Sequence, residues 1–373
     1  MRFLFFCFFS SLLLAQLKVE QARFRPFGIS ISGPKELADP VLDDLELSGV
    51  FKKSMPALAD GTVQIQISPN LVRVTIKNSQ TFQYKEPVSK RLAHQIAGDI
   101  YKSFTGESGF FSSHIVASNK AKQIILLDFD GTNPKQLTHN NSINILPVLS
   151  PDGKEVFFTS YLKNNSDLYS LKIGSSDLKI ISNRPGINSG VSFSPNGSEI
   201  ALTLSHEGEI DIYLADKNGH NLKRLIPGST LNTSPSFSPD GNQIAFVSKR
   251  TGNPQIHIMS KDGSNIQRMT LLGKYNQAPK WSPQGDYIVF TGRDENNKFD
   301  VFLLEVKTKK ITRVTQDQGD NDEASFSPNG RMLVFCSTRN GNGYRDLFVS
   351  NLDGSFQKQI THASHYWTPY WGN

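Results

Sequence analysis

The sequence predicts a mainly β fold, a six-bladed β-propeller preceded by a small α/β domain. Three observations carry that expectation. A Ser-Pro-x-Gly phrase recurs at a fixed spacing through the C-terminal two thirds of the chain. The two ends of the repeating region hold complementary fragments of one further repeat. The stretch in front does not repeat, and it contains an amphipathic helical pattern.

Taken in chain order, the first element is a targeting segment. Arg2 supplies a positive start, Phe3 to Leu14 form an apolar run with only two serines, and Ala15 is a small residue suited to cleavage. About 12 apolar residues are too few to span a bilayer, which takes roughly 20. Cys7 lies within that run, so a lipoprotein cleavage site is not indicated. Residues 1–15 are read as a signal peptide removed near Ala15, with an uncleaved anchor as the alternative, and an exported chain without disulfides fits a periplasm-type compartment. Residues 16–23 follow as an extended segment, with Lys18, Arg23 and the nearby Arg25 as its cationic groups.

Residues 24–106 are read as the α/β domain. Phe24 to Ile31 suggests a strand, and Lys35 to Phe51 a helix with a break at Pro40. Gly61 to Ser68 and Asn70 to Asn78 alternate as a hairpin about Ser68-Pro69-Asn70. Ser89 to Phe104 places Leu92, Ile96 and Ile100 four residues apart, an amphipathic helix stopped by Gly106.

Residues 107–373 are read as the propeller. The phrase appears as Leu149-Ser-Pro-Asp-Gly153, Phe193-Ser-Pro-Asn-Gly197, Phe237-Ser-Pro-Asp-Gly241, Trp281-Ser-Pro-Gln-Gly285 and Phe326-Ser-Pro-Asn-Gly330. Its prolines stand at 151, 195, 239, 283 and 328, a period of 44, 44, 44 and 45 residues. Proline presets φ and glycine takes the left-handed position, so each phrase is a tight turn. An apolar strand follows each turn, as in Gln243 to Val247. A third strand comes next, as in Asp211 to Tyr213, and an Asn-Gly or Asp-Gly turn leads to a fourth. Four short strands per 40-odd residues make a propeller blade. One period beyond Pro328 the chain ends, with Pro369-Tyr-Trp371 as an inner strand lacking a blade behind it. Ser113 to Ala117, Gln123 to Leu127 and Lys135 to Thr138 are three strands lacking an inner one. Joined, they form blade six and leave no open edge.

Composition narrows the function classes. The net charge is +6 with no run of five or more basic residues, so a nucleic-acid tail is not indicated. After cleavage Cys336 is the one remaining cysteine, in an apolar run, and no disulfide is expected. No Gly-x-Ser-x-Gly elbow or His-Glu-x-x-His pair occurs, and a catalytic residue set, a cofactor and a metal are not expected. His362 and His365 lack an evident third ligand. Asp317 to Glu323 is the most calcium-like segment but lacks the twelve-residue ligand order. A lactonase-type propeller would need acids and asparagines converging on the channel, where the inner strands offer Ser192, Ser236, Lys280 and Ser325. Besides that metal-dependent hydrolase, a propeller that binds polysaccharide directly is the other alternative.

The loops entering the inner strands carry polar residues suited to binding a protein. These are Asn188 and Gly190, with Ile187 before them, Asn232 and Thr233, Asn276 and Gln277, and Asp322 and Glu323. Asparagines in such loops also serve as turn caps.

The helix followed by Phe104-Thr-Gly-Glu-Ser-Gly-Phe-Phe111 and Ser113-His-Ile-Val116, together with Leu47-Ser-Gly-Val-Phe51 and the Ser-Pro-x-Gly blades, resembles the TolB family, the periplasmic propeller component of the Tol-Pal system. The resemblance implies a non-catalytic, monomeric scaffold that supports outer-membrane integrity and cell division. It implies that one propeller face binds a Pal-like peptidoglycan-associated lipoprotein. The segment with Lys18, Arg23 and Arg25 would bind a TolA-like protein, and other outer-membrane proteins are further candidates. Membrane association would come only through such partners. Thr233 falls at a matched threonine, whereas Ile187 stands where the family has histidine. The α/β domain is shorter than the family's usual one.

Overall fold

The computed structural model describes residues 26–373 apart from 206–207, 229–230, 272, 294–295, 317 and 342. The segment read as signal peptide, and Lys18, Arg23 and Arg25, lie outside the described residues.

The N-terminal domain comprises β1 (Phe27–Ser32), α1 (Lys35–Leu47), β2 (Phe51–Lys53), β3 (Gly61–Ser68), β4 (Leu71–Ile76), β5 (Thr81–Tyr84) and α2 (Lys90–Thr105). The sheet order is β2-β1-β3-β4-β5, with β1 parallel to both neighbours and the remaining pairs antiparallel. The predicted helix and hairpin are present, with three differences. Pro40 does not break α1, because the apolar face of Leu37, Val41 and Leu45 stays buried across it. Loss of one N–H donor near the helix start is outweighed by that burial. The helix ends at Leu47, where Gly49 turns the chain at φ +68° and Phe51–Lys53 pairs beside β1. A third antiparallel strand, β5, extends the hairpin to a meander. The hydroxyl of Tyr84 on β5 donates to Asp99 on α2 at 2.6 Å. Helix α2 begins on Ser89, whose Oγ accepts the Leu92 N–H at 3.2 Å, and ends on left-handed Gly106.

The rest of the chain forms six four-stranded antiparallel blades. Their inner strands are Asn144–Leu149, Asn188–Phe193, Asn232–Phe237, Asn276–Trp281, Asn321–Phe326 and Trp367–Gly372, belonging to blades one to six. In blade six the C-terminal strand pairs with His114–Ser118, in the register Trp371 to Ile115. The ring is therefore closed by the two ends of the repeating region, as the sequence predicts.

Each Ser-Pro-x-Gly turn is held by its serine. Ser150 Oγ accepts the Glu155 N–H at 3.0 Å, and Ser194, Ser238, Ser282 and Ser327 do the same for Glu199, Gln243, Tyr287 and Met332. The glycine is required at Gly153. Its φ is +67°, and an added Cβ would stand 2.3 Å from the carbonyl oxygen of Asn373.

The gaps between blades are packed with apolar side chains. Phe157, Leu202 and Tyr213 fill the gap between blades one and two, and Phe237, Phe246 and Met259 lie between two and three. Between blades five and six the cluster runs on into the α/β domain, joining Val334, Cys336, Leu127 and Trp371 to Phe110, Tyr101 and Leu45. Two polar contacts support this joint. Arg331, at the end of blade five's Ser-Pro turn, donates Nε to Glu107 at 2.8 Å, and Asn329 donates to the Ser108 carbonyl at 3.2 Å. Among the described residues the α/β domain thus meets the ring at its Ser-Pro end and not at the other.

Candidate partner-binding site

The free end of the channel opens where the inner strands begin. Blades one to five start that strand on an asparagine, and two residues later the backbone adopts a positive φ. The values are +54° at Leu146, +64° at Gly190, +56° at Ser234, +50° at Ala278 and +57° at Glu323, with +51° at Thr368 in blade six. The strand register shifts around each of these residues, the mark of a β-bulge. Six bulges in equivalent places shape a funnel. It encloses a cavity of about 310 Å³ lined by Leu146, Ile187, Ser189, Gly190, Thr233, Ser234, Ala278, Lys280, Glu323, Thr368 and Tyr370, with Pro147, Pro235, Pro279 and Pro369 as an apolar collar.

Of the residues singled out in the sequence, Ile187, Gly190, Thr233 and Glu323 come together in this cavity. Gln277 is half-buried on the inner strand of blade four, opposite Thr291. The asparagines have another role. Asn188, Asn232 and Asn276 are buried, and a partner cannot reach them in this conformation. Asn188 Nδ2 donates to the carbonyls of Ser166, Arg184 and Gly186, while its Oδ1 accepts from Ser182 Oγ and the Arg184 N–H. Asn232 donates to Asp211 at 3.0 Å and Asn276 to Gln255 at 2.9 Å. A buried amide must find such partners, and here they fix the loop that enters each blade. Asp322 is also buried, its carboxylate 2.5 Å from Arg345 Nη1.

Sequence reasoning missed Ser189, Ser234, Ala278 and Thr368, although a signal was present. Each stands one or two places beyond the residue that opens its inner strand, and a proline follows at 235, 279 and 369.

The throat of the funnel holds one acid and one amine. Burial pushes the Glu323 carboxyl up to about 7, with the neighbouring Asp322 adding to the rise. Burial likewise brings the Lys280 ammonium down to about 8. Glu323 accepts the Thr368 N–H at 2.6 Å, and Lys280 Nζ lies 5.8 Å from the Tyr370 ring centre. The funnel therefore combines apolar walls with hydrogen-bonding groups and two charges that respond to pH.

The channel serines are used between blades. Ser192 Oγ accepts the Phe237 N–H at 2.9 Å, Ser236 the Trp281 N–H at 2.9 Å and Ser325 the Trp371 N–H at 3.2 Å. In the calcium-like loop Asp317 lies outside the described residues, and Asp320 accepts the Phe299 N–H at 3.0 Å. His365 stacks on Trp367 with ring centres 5.8 Å apart, and its centre lies 4.3 Å from that of Tyr344.

Residues 101–373 match the family model described as the TolB beta propeller domain. Among curated relatives, the Tol-Pal system protein TolB of Cereibacter sphaeroides is 34% identical over 104 residues, covering 26% of this chain and 23% of the relative. The Legionella pneumophila protein of the same name is 27% identical over 194 residues, 43% of this chain and 46% of the relative. The matched region thus spans less than half the length of either relative. A crystal structure of TolB from Acinetobacter baumannii superposes with a TM-score of 0.82 at 24% identity, covering 93% of this chain and 97% of that one. At that identity the superposition speaks for the fold.

Proposed function

The chain belongs to the TolB β-propeller family, and on that premise we propose that it is a non-catalytic periplasmic scaffold of a Tol-Pal envelope complex. Its funnel mouth receives a Pal-like peptidoglycan-associated lipoprotein. Residues 16–25, with Lys18, Arg23 and Arg25, engage a TolA-like protein by adding to its surface. Through these two contacts the protein supports outer-membrane integrity and division.

One observation carries the reading. The α/β domain covers part of the Ser-Pro end of the ring, whereas the opposite mouth is an apolar-walled recess with hydrogen-bonding groups at its rim. Interfaces join an apolar centre to a polar edge in this way. Thr233 and Ser189 supply hydrogen-bonding groups, and the half-buried Leu146, Ile187 and Ala278 supply the apolar wall. Among the described residues no helix is long and apolar enough to cross a membrane.

The test is calorimetric titration of the purified protein with the soluble part of the Pal-like lipoprotein from the same bacterium. Thr233→Arg combined with Ser189→Arg places two long cations in the mouth. Affinity should fall by about 100-fold or more with the melting temperature unchanged. Binding of wild-type strength in that folded variant would move the site elsewhere. Saturable binding of peptidoglycan fragments without the lipoprotein would favour a direct polysaccharide reader.

A further inference from the structure

A second cluster of chemistry-bearing side chains lies at the joint between the domains, remote from the funnel. His94, on α2, is 6% exposed. Its Nδ1 is 2.7 Å from Asp44 Oδ2 on α1. Its Nε2 has no hydrogen-bond partner and faces blade six, 3.8 Å from Asp128 Oδ2. One ligand atom each from His94, Asp128 and Asp130 lies within 4.8 Å of the others. At that distance Nε2 pairs with Asp128 only as an ion pair, and a buried ring nitrogen left short of a hydrogen bond is costly and calls for an explanation.

We propose that His94, Asp128 and Asp130 form a divalent transition-metal site, of the kind zinc occupies, that ties α2 to blade six. The donor set is one imidazole nitrogen and two carboxylates, which suits a borderline divalent ion. Asp44 supplies what such an imidazole needs on its far side. With Nδ1–H donating to Asp44, the Nε2 lone pair is directed at the two blade-six carboxylates, as in carboxylate–histidine–metal triads. The carboxylates are held in place independently. Asn133 donates to Asp128 at 2.6 Å, and the Thr132 hydroxyl donates to Asp130 at 2.7 Å.

Without an ion the carboxylates face Lys90, whose Nζ sits 2.6 Å from Asp130 Oδ2, and the imidazoles of His94 and His114 beside Asp128. The Lys90 side chain is 37% exposed on a flexible stem, so it can withdraw to solvent as an ion enters. Asp128, at 24% side-chain exposure, leaves a route from water. Asp128 ends the third strand of blade six and Asp130 lies in the turn to the fourth, whereas His94 belongs to the α/β domain. An ion there would bind both domains at once and stabilise their joint by mass action.

The probe is zinc chloride, titrated calorimetrically into the tag-free, metal-stripped chain, with cobalt(II) absorption as the spectroscopic counterpart. We expect one equivalent of zinc, a cobalt spectrum with nitrogen ligation and a rise in melting temperature. Asp44→Asn should weaken binding by roughly 10–100-fold while leaving the three ligands in place. Asp130→Asn, at a partly exposed position, keeps the test sound if His94→Gln fails to fold, and should weaken binding by at least about tenfold. Absence of saturable zinc binding, or wild-type affinity in folded Asp130→Asn, overturns the site.

Discussion

The indole Nε1 of Trp371 donates to Ser113 Oγ at 2.8 Å across 258 residues of sequence, joining the last strand of the chain to the start of the propeller. Trp371 is 3% exposed, packs edge-on against Phe110 with ring centres 5.2 Å apart, and its backbone N–H reaches Ser325 on blade five. A single residue thus ties together blade five, blade six and the linker from the α/β domain. Trp371→Ala should cost about 3–5 kcal/mol in urea unfolding. Removal of 367–373 would open the ring and expose the edge of His114–Ser118 in blade six. We expect that truncation to abolish the cooperative melt, and an unchanged melting temperature would show that the ring does not depend on this strand.

A second prediction separates architecture from contact at the funnel. Asn188 is fully buried and makes five hydrogen bonds, so Asn188→Ala strands several polar groups. It should lower stability by about 2–3 kcal/mol. At a temperature where the variant is fully folded, its affinity for a Pal-like partner should stay within about threefold of wild type, since its side chain lies behind the surface. A large affinity loss in a protein of undiminished stability would return Asn188 to the contact surface.

The blades were legible because their turns are local chemistry. Pro151 and Gly153 do the same job in every repeat, and their spacing counts the blades. The ring closure at Trp371 followed from that count. The strands Phe51–Lys53 and Thr81–Tyr84 were not legible, since segments of three and four residues have no measurable period and exist only through neighbouring strands. The asparagines were visible as a repeating position, but whether an amide faces a partner or its own loop depends on carbonyls such as Ser166, 22 residues away. The bulges at Leu146 and Thr368 were hidden because ordinary side chains there adopt a backbone that sequence assigns to glycine. The pairing of His94 with Asp44 spans 50 residues and has no local signature.

The throat acid gives a pH prediction. Glu323 faces Lys280, Asp322 and Arg345, and its carboxyl rises from 4.5 to about 7. Between those values the folded protein holds a proton that the unfolded chain has released. Stability at this site is therefore fully present below 4.5 and is lost as the pH rises through 7. Glu323→Gln removes the titration while keeping an oxygen for the Thr368 N–H. The variant's melting temperature, measured relative to wild type, should be higher at about pH 8 than at about pH 4.5. A difference that does not change with pH would rule out Glu323 as the group responsible.

The last prediction concerns the joint between the domains. Phe110 stacks on Phe111 at 4.9 Å and meets Phe129 of blade six at 5.7 Å, edge-on, as well as Trp371. The core of the α/β domain therefore continues into the gap between blades five and six without a break. Domains joined by a continuous apolar core unfold together, whereas small polar interfaces let them part. Calorimetric melting of the protein should show one transition whose van't Hoff and calorimetric enthalpies agree. Phe110→Ala should cost about 3–5 kcal/mol and split that transition in two, the α/β domain melting first because its own core is the smaller. Two transitions in the wild-type protein would show that the shared aromatic cluster does not couple the domains.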